Sequence, residues 1–222
     1  MPLRTVVVDA GHGGHDPGAS HYGLREKDLT LDIARRLRAA LQTYGLSVMM
    51  TRDRDEFVTL KRRPAFANRI QANLFVSVHV NANRKRSVSG IEVYYPRESL
   101  IDPSAPLPPV VLPTEVALPT TAIRHILWDL VLTRTRRQSV QAARHVCRAM
   151  RERLQVPCRG VKGARFVVLR EAWMPAVLVE VGYMSNRQEA GRLGTSAYRQ
   201  AVAQAIAEGV VNYARTVGLQ QS

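Results

Sequence analysis

The sequence predicts an α/β fold built on a central sheet, and three observations carry that expectation. Short aliphatic or β-branched runs alternate with longer segments whose apolar residues recur at helical spacing. Thr5 to Val8, Leu74 to Val80 and Ala176 to Val181 are apolar on both faces, as strands inside a sheet are. With 222 residues, 45% of them hydrophobic, the chain can bury one sizeable core but not comfortably two, so 1–222 is read as a single domain.

The first predicted strand, Thr5 to Val8, delivers a glycine-rich loop, Asp9-Ala10-Gly11-His12-Gly13-Gly14. From Lys27, residues Leu29, Leu31, Ile33, Ala34, Leu37 and Leu41 follow a helical period that Tyr44-Gly45 stops. Leu46 to Met50 reads as the second strand, Ala65 to Ala72 as a helix, and Leu74 to Val80 and Ile91 to Tyr95 as further strands.

Residues 96–121 change character, with seven prolines and no consistent period, and are expected to form an insertion loop. A helix follows at about 122–135, its apolar part running from Ala122 to Leu132, and a separate one from Ser139 to Leu154. The sheet is expected to resume at Phe166 to Leu169 and again at Ala176 to Val181. A last helix runs from Ser196, a candidate N-cap, to Tyr213.

A formal net charge of +14 predicts attraction to a polyanion and does not say which one. No helix-turn-helix, finger or aromatic-studded RNA-binding signature accompanies the charge, so no specific nucleic-acid partner is expected. No run approaches the roughly 18 to 20 apolar residues a bilayer crossing needs, so no integral membrane segment is expected. Arg4 leads straight into the first strand, and no export signal is read there. Cys147 and Cys158 lack Cys-x-x-Cys spacing and make a poor zinc or redox site; two buried thiols are expected, with a single disulfide as the alternative.

Four residues carry the candidate chemistry. His12 and His79 each end a predicted strand, and Glu26 lies where the first helix opens. Open α/β sheets place their sites at the carboxyl ends of strands. Two imidazoles and one carboxylate form a catalytic zinc set that leaves a fourth position free. Glu180 interrupts Ala176-Val177-Leu178-Val179-Glu180-Val181, and a carboxylate in such a run needs a reason. General base action is one. Taken singly, each of these residues is more ordinarily hydrogen-bonded scaffolding than a ligand.

Five ordered segments together resemble a known family. These are Asp9-Ala10-Gly11-His12-Gly13-Gly14-His15-Asp16-Pro17-Gly18-Ala19; Gly23-Leu24-Arg25-Glu26-Lys27-Asp28; and Thr51-Arg52-Asp53 with Leu60, Arg63 and Ala67-Asn68. The other two are Phe75-Val76-Ser77-Val78-His79-Val80-Asn81-Ala82, and Val168-Leu169-Arg170 with Met174 to Asn186. They are similar to the motifs of the zinc-dependent N-acetylmuramoyl-L-alanine amidases that remodel bacterial cell walls.

The resemblance implies one zinc ion held by His12, Glu26 and His79, with Glu180 as the catalytic acid/base. It implies a three-layer α/β/α fold with a mixed sheet of about six strands. It also implies peptidoglycan as substrate, cut at the amide between N-acetylmuramic acid and L-alanine, and a place in the cell envelope. His15 and Asp16 are expected to position the first-ligand loop, and Asn81 to touch substrate or orient a ligand. Some relatives carry an insertion after the strand corresponding to Ile91 to Tyr95 that blocks the metal until an activator protein moves it. The 96–121 insertion lies at that place, and His125 to Leu132 resembles the helix ending such an insertion. A wall-binding protein without catalysis, or hydrolysis of a different wall amide, are the rival readings.

Overall fold

The computed structural model describes residues 3–97 and 121–219. Strand β1 (Thr5–Ala10) leads through a small hairpin, β2 (Ser20–His21) and β3 (Leu24–Arg25), into helix α1 (Glu26–Gln42). Strand β4 (Ser47–Met50), helix α2 (Arg62–Arg69), strand β5 (Leu74–Asn81) and strand β6 (Ile91–Pro96) follow. After residues 98–120 come helix α3 (Thr121–Leu154), strand β7 (Cys158–Ala164) and the single turn α4 (Val167–Arg170). Strand β8 (Ala176–Tyr183) and helices α5 (Arg187–Leu193) and α6 (Ser196–Leu219) complete the chain.

The main sheet has six strands in the order β4-β1-β5-β8-β6-β7. The first four run parallel, while β6 is antiparallel to β8 and parallel to β7, so the sheet is mixed as expected.

Because side chains alternate across a strand, each strand divides its residues between two faces. Val6, Val8 and Ala10 of β1, Leu74, Val76, Val78 and Val80 of β5, and Val177, Val179 and Val181 of β8 meet α1, α3 and α6 in the larger core. The opposite face is apolar only near the strand starts, where Val7, Phe75, Ala176 and Leu178 pack with Ala67 of α2 and Val168 and Leu169 of α4. Beyond this apolar patch the same alternation puts Asp9, Ser77, His79 and Glu180 on that second face, joined by Glu92 from the start of the antiparallel β6. The strand-borne candidates therefore share one half of one face.

Four expectations are corrected. Phe166 to Leu169 is not a strand; the segment folds as α4 and buries Val168 and Leu169, which an isolated turn can do as well as a strand can. The sixth strand is instead β7, Cys-Arg-Gly-Val-Lys-Gly-Ala, a half-exposed edge whose two glycines hide the alternation. The helices expected at 122–135 and 139–154 are one 34-residue helix. Its polar middle contains no Gly or Pro, and the buried Ser139 hydroxyl donates to the Thr135 carbonyl and accepts the Ala176 N–H, so the polar stretch is satisfied without a break.

Thr195, not Ser196, caps α6, its hydroxyl accepting the Tyr198 N–H; the Ser196 hydroxyl accepts from Arg36 instead. Finally, Cys147 and Cys158 are joined in a disulfide tying α3 to β7, with 5.9 Å between their α-carbons. No spacing rule on eleven intervening steps could have chosen this from two separate thiols. The expected insertion at 96–121 falls almost wholly outside the described residues.

Candidate metal centre

The site begins with the loop that leaves β1. Gly11 and Gly18 are required by contact: a β-carbon on Gly11 would lie 2.4 Å from the His79 ring, and one on Gly18 would lie 2.6 Å from Glu26 Oε2 and 2.7 Å from the His12 ring. Between them His12 adopts a left-handed backbone, φ 60°, unusual for a residue with a side chain. Two buried arginines hold it there. Arg52 donates to the carbonyls of Ala10 (2.9 Å) and Gly11 (2.8 Å), and Arg63 donates to those of Ala10 (2.6 Å) and His12 (2.9 Å). Asp9, fully buried, balances Arg63 at 2.8 Å and accepts hydrogen bonds from Ser77 and Thr51. Burial alone would raise the Asp9 carboxyl, but the guanidinium and the two hydroxyls outweigh it and hold it below its ordinary value.

This scaffold brings His12, Glu26 and His79 together, with one donor atom of each lying within 4.8 Å of the others. Glu26 Oε1 stands 3.1 Å from His12 Nε2 and 3.0 Å from His79 Nδ1, and also accepts the Val80 N–H. Its other oxygen accepts the Ala19 N–H at 2.9 Å. Burial pushes the Glu26 carboxyl up, but its contacts with His12 and His79 prevail, so it stays ionised well below the usual carboxylate range. On the far side of the His12 ring, Nδ1 lies 2.8 Å from Asp16 Oδ2, which leaves Nε2 to face the cluster. Two imidazoles and a carboxylate can hold a metal ion. Among the described residues no fourth protein donor joins them, the ligand number of a catalytic rather than a structural zinc set.

Glu180 sits next in line. It pairs in register with His79 on β5 and with Glu92 on β6. Its Oε2 is buried and has no hydrogen-bond partner. Burial, with the charges of Glu26 and Glu92 added, pushes this carboxyl well above its ordinary value. Glu92 is the reverse case: Lys162 Nζ at 2.5 Å and the Tyr94 hydroxyl at 2.6 Å offset its burial and keep it ionised. Burial and charge thus set two neighbouring carboxylates apart, Glu180 above its ordinary value and Glu92 below it.

Of the four residues singled out from sequence, His12, Glu26 and His79 come together and Glu180 stands in register beside His79; Asp16 bonds the ring of the first histidine as well as the loop's Gly18 N–H. Asn81 does not reach a candidate ligand; its side chain lies 3.4 Å from Glu92 and accepts the Ala82 N–H. Sequence reasoning missed Glu92, although it interrupts an apolar strand just as Glu180 does. It also gave Arg52 and Arg63 no role, because their partners are backbone carbonyls that no residue pattern records.

The comparisons with known proteins agree with this geometry. A family model described as N-acetylmuramoyl-L-alanine amidase matches residues 6–212. The chain is similar to the N-acetylmuramoyl-L-alanine amidase AmiA of Escherichia coli, 33% identical over 95% of this chain and 76% of that protein. It is 35% identical to AmiC of Neisseria meningitidis over 98% of this chain and 54% of that protein. Among solved structures it resembles the amidase AmiC2 of Nostoc punctiforme, with TM-score 0.75, 33% identity, and 96% and 98% of the two chains covered. With an amidase of Clostridium difficile the TM-score is 0.76 at 28% identity, covering 96% and 97%. With the sheet, the converging side chains and a match over nearly its whole length in agreement, the chain belongs to the N-acetylmuramoyl-L-alanine amidase family.

Proposed function

We propose that this chain hydrolyses the amide joining N-acetylmuramic acid to L-alanine in peptidoglycan, using one zinc ion held by His12, Glu26 and His79 and Glu180 as acid/base. The observation that carries the reading is the unpartnered, buried Glu180 oxygen beside a cluster of three donors able to hold a metal ion. Zinc in that cluster would supply Lewis acidity to the amide carbonyl and to water at neutral pH. Glu180, as carboxylate, takes a proton from water at Oε2 while the water oxygen bonds to the carbonyl carbon. It then returns that proton to the departing nitrogen, so that the C–N bond breaks to a free amine and a carboxylic acid. His12 is held in orientation throughout by Asp16 and by Arg63 on its carbonyl.

Digestion of purified peptidoglycan, read by mass spectrometry, tests this. Free stem peptides beginning at L-alanine are expected from the metal-loaded protein and not from the chelated one. Glu180→Gln is expected to keep zinc while losing roughly 10²- to 10⁴-fold in turnover, and His79→Ala to lose the metal. Normal turnover by the glutamine variant would remove Glu180 from its role.

The Cys147–Cys158 disulfide supports an oxidising compartment, the cell envelope or beyond, where peptidoglycan lies. Among the described residues no helix is long and apolar enough to cross a membrane. An activator protein acting on the 96–121 insertion belongs to the same proposal and has its own test below.

A further inference from the structure

The substrate is unsymmetrical, with a sugar on the acyl side of the scissile amide and an acidic peptide on the amine side. We propose that the stacked rings of His15 and Phe57 are the seat of that sugar, an N-acetylated hexosamine, so that substrate lies across the strand ends in one direction only. The proposal rests on the amidase reading above.

Glu180 fixes the direction. The leaving nitrogen must come within hydrogen-bond reach of this carboxyl to receive its proton, so the amine side of the bond faces β8. The acyl side then faces the other way, past His12 towards β1 and β4. Only an ether-linked lactyl unit separates the carbonyl from the sugar ring, so the sugar must rest close to the His12 loop.

An exposed aromatic surface stands there. His15 lies at the tip of the turn that Gly13 and Asp16 close with reciprocal backbone hydrogen bonds of 3.0 and 3.2 Å. Its ring stacks on Phe57 at 4.1 Å between centroids, tilted by 38°. Phe57, on the segment between β4 and α2, is 44% exposed, an unusual state for a residue held so tightly. The backbones are pressed together beneath it: a β-carbon on Gly14 would lie 2.7 Å from the Phe57 nitrogen, and one on Gly13 would lie 2.2 Å from the Glu56 carbonyl. The platform is thus fixed relative to His12. The negative face of an aromatic ring attracts the weakly positive C–H groups on the flat side of a pyranose, and Asp55 beside it braces the loop by accepting the Gly14 N–H and the Lys27 ammonium.

The opposite rim has different chemistry. Beyond Glu180 stand Glu92, Lys162 and Arg159, the two cations 45% and 43% exposed, which suits a peptide bearing carboxylates. Tyr22, another exposed ring near the site, donates its hydroxyl to the Ser185 carbonyl just after β8 and so lies on the amine side. Phe166 is also exposed, and its ring meets that of Tyr94, whose hydroxyl donates to Glu92, so it too stands on the amine side.

The test compares N-acetylmuramoyl-L-alanyl-D-isoglutamine with the same peptide carrying only a D-lactoyl group. In Phe57→Ala the ratio of kcat/KM for the sugar-bearing over the sugar-free substrate is expected to fall about five- to tenfold, chiefly through KM. Phe57→Leu, which keeps the apolar bulk without a π-face, should lose most of the same ratio, and Phe57→Tyr should restore it. An unchanged ratio in both Phe57→Ala and Phe57→Leu overturns the sugar seat while leaving the amidase reading intact. A fall in the ratio in Tyr22→Ala instead would reverse the assigned direction. Hydrolysis of neither substrate by the unaltered chain would sink the amidase reading, and the seat with it.

Discussion

Arg63 joins three things that the chain keeps far apart: the Asp9 carboxylate on β1, the strained backbone of His12, and helix α2, from which its side chain reaches. Both the arginine and the aspartate are almost fully buried, so neither charge can turn to water if its partner is lost. Removing one member of such a pair typically costs about 3–5 kcal/mol. Arg63→Met is therefore expected to lower unfolding stability by that amount in a urea titration, and a loss under about 1 kcal/mol would show that the pair is dispensable. His12, His79 and Glu180 stand out in the sequence because each breaks a local rule, a histidine at a strand end or an acid inside an aliphatic run; Glu26, an acid in the first turn of a helix, breaks none, and only the resemblance of its motif joined it to the others. Arg63 breaks none, since an arginine on an amphipathic helix reads as solvated, and only the fold turns it inward.

The disulfide belongs to the scale of elements. It clips α3, whose exposed side carries Arg134, Arg137, Arg144 and Arg148, to β7, a strand with glycines at two of its seven positions and, among the described residues, no partner on its outer edge. Closing so short a loop restricts the unfolded chain by about 3 kcal/mol in the chain-entropy view. Cys147→Ser combined with Cys158→Ser should lower stability by roughly 2–3 kcal/mol, and reducing the unaltered protein should reproduce the loss; a double variant as stable as the oxidised parent would refute it. Strands with two buried faces announced themselves as aliphatic runs. The edge strand β7 did not, because its fitness for pairing lies in backbone groups rather than in side chains. The apolar Phe166 to Leu169 invited the opposite error, and the uninterrupted α3 was split because a polar stretch was read as an end although nothing in it stops a helix.

At the scale of the whole molecule, the sheet separates duties. One face is sealed by α1, α3 and α6; the other, among the described residues, is covered near the strand starts and carries the candidate site at the opposite end. β6 runs against its neighbour β8, so Pro96 ends at the covered end, remote from Glu180. Trp128 of α3 is buried against Trp173, which precedes β8 at that same end. The helix following the insertion is therefore anchored at Trp128 towards the strand starts, and the expected insertion itself lies outside the described residues. Deleting Ser99 to Thr121 tests the expected gate: if an activator works through this segment, wall hydrolysis without a partner should rise, and unchanged activity would remove the activator from the proposal. The positive charge that the sequence displayed so plainly did not locate the site, since attraction to an anionic wall is a property of the whole surface and not of any one residue.

Strand parity turns these positions into a constraint on length. Inserting or deleting a single residue in β8 ahead of Glu180 would rotate the acid by half a turn, into the aliphatic packing against α3 and α6, and send a valine out to face the three-donor cluster. Such a lesion would disable the enzyme and unsettle its interior together, although every functional residue would still be present. In this protein the spacing between residues is as much part of the catalyst as the residues themselves.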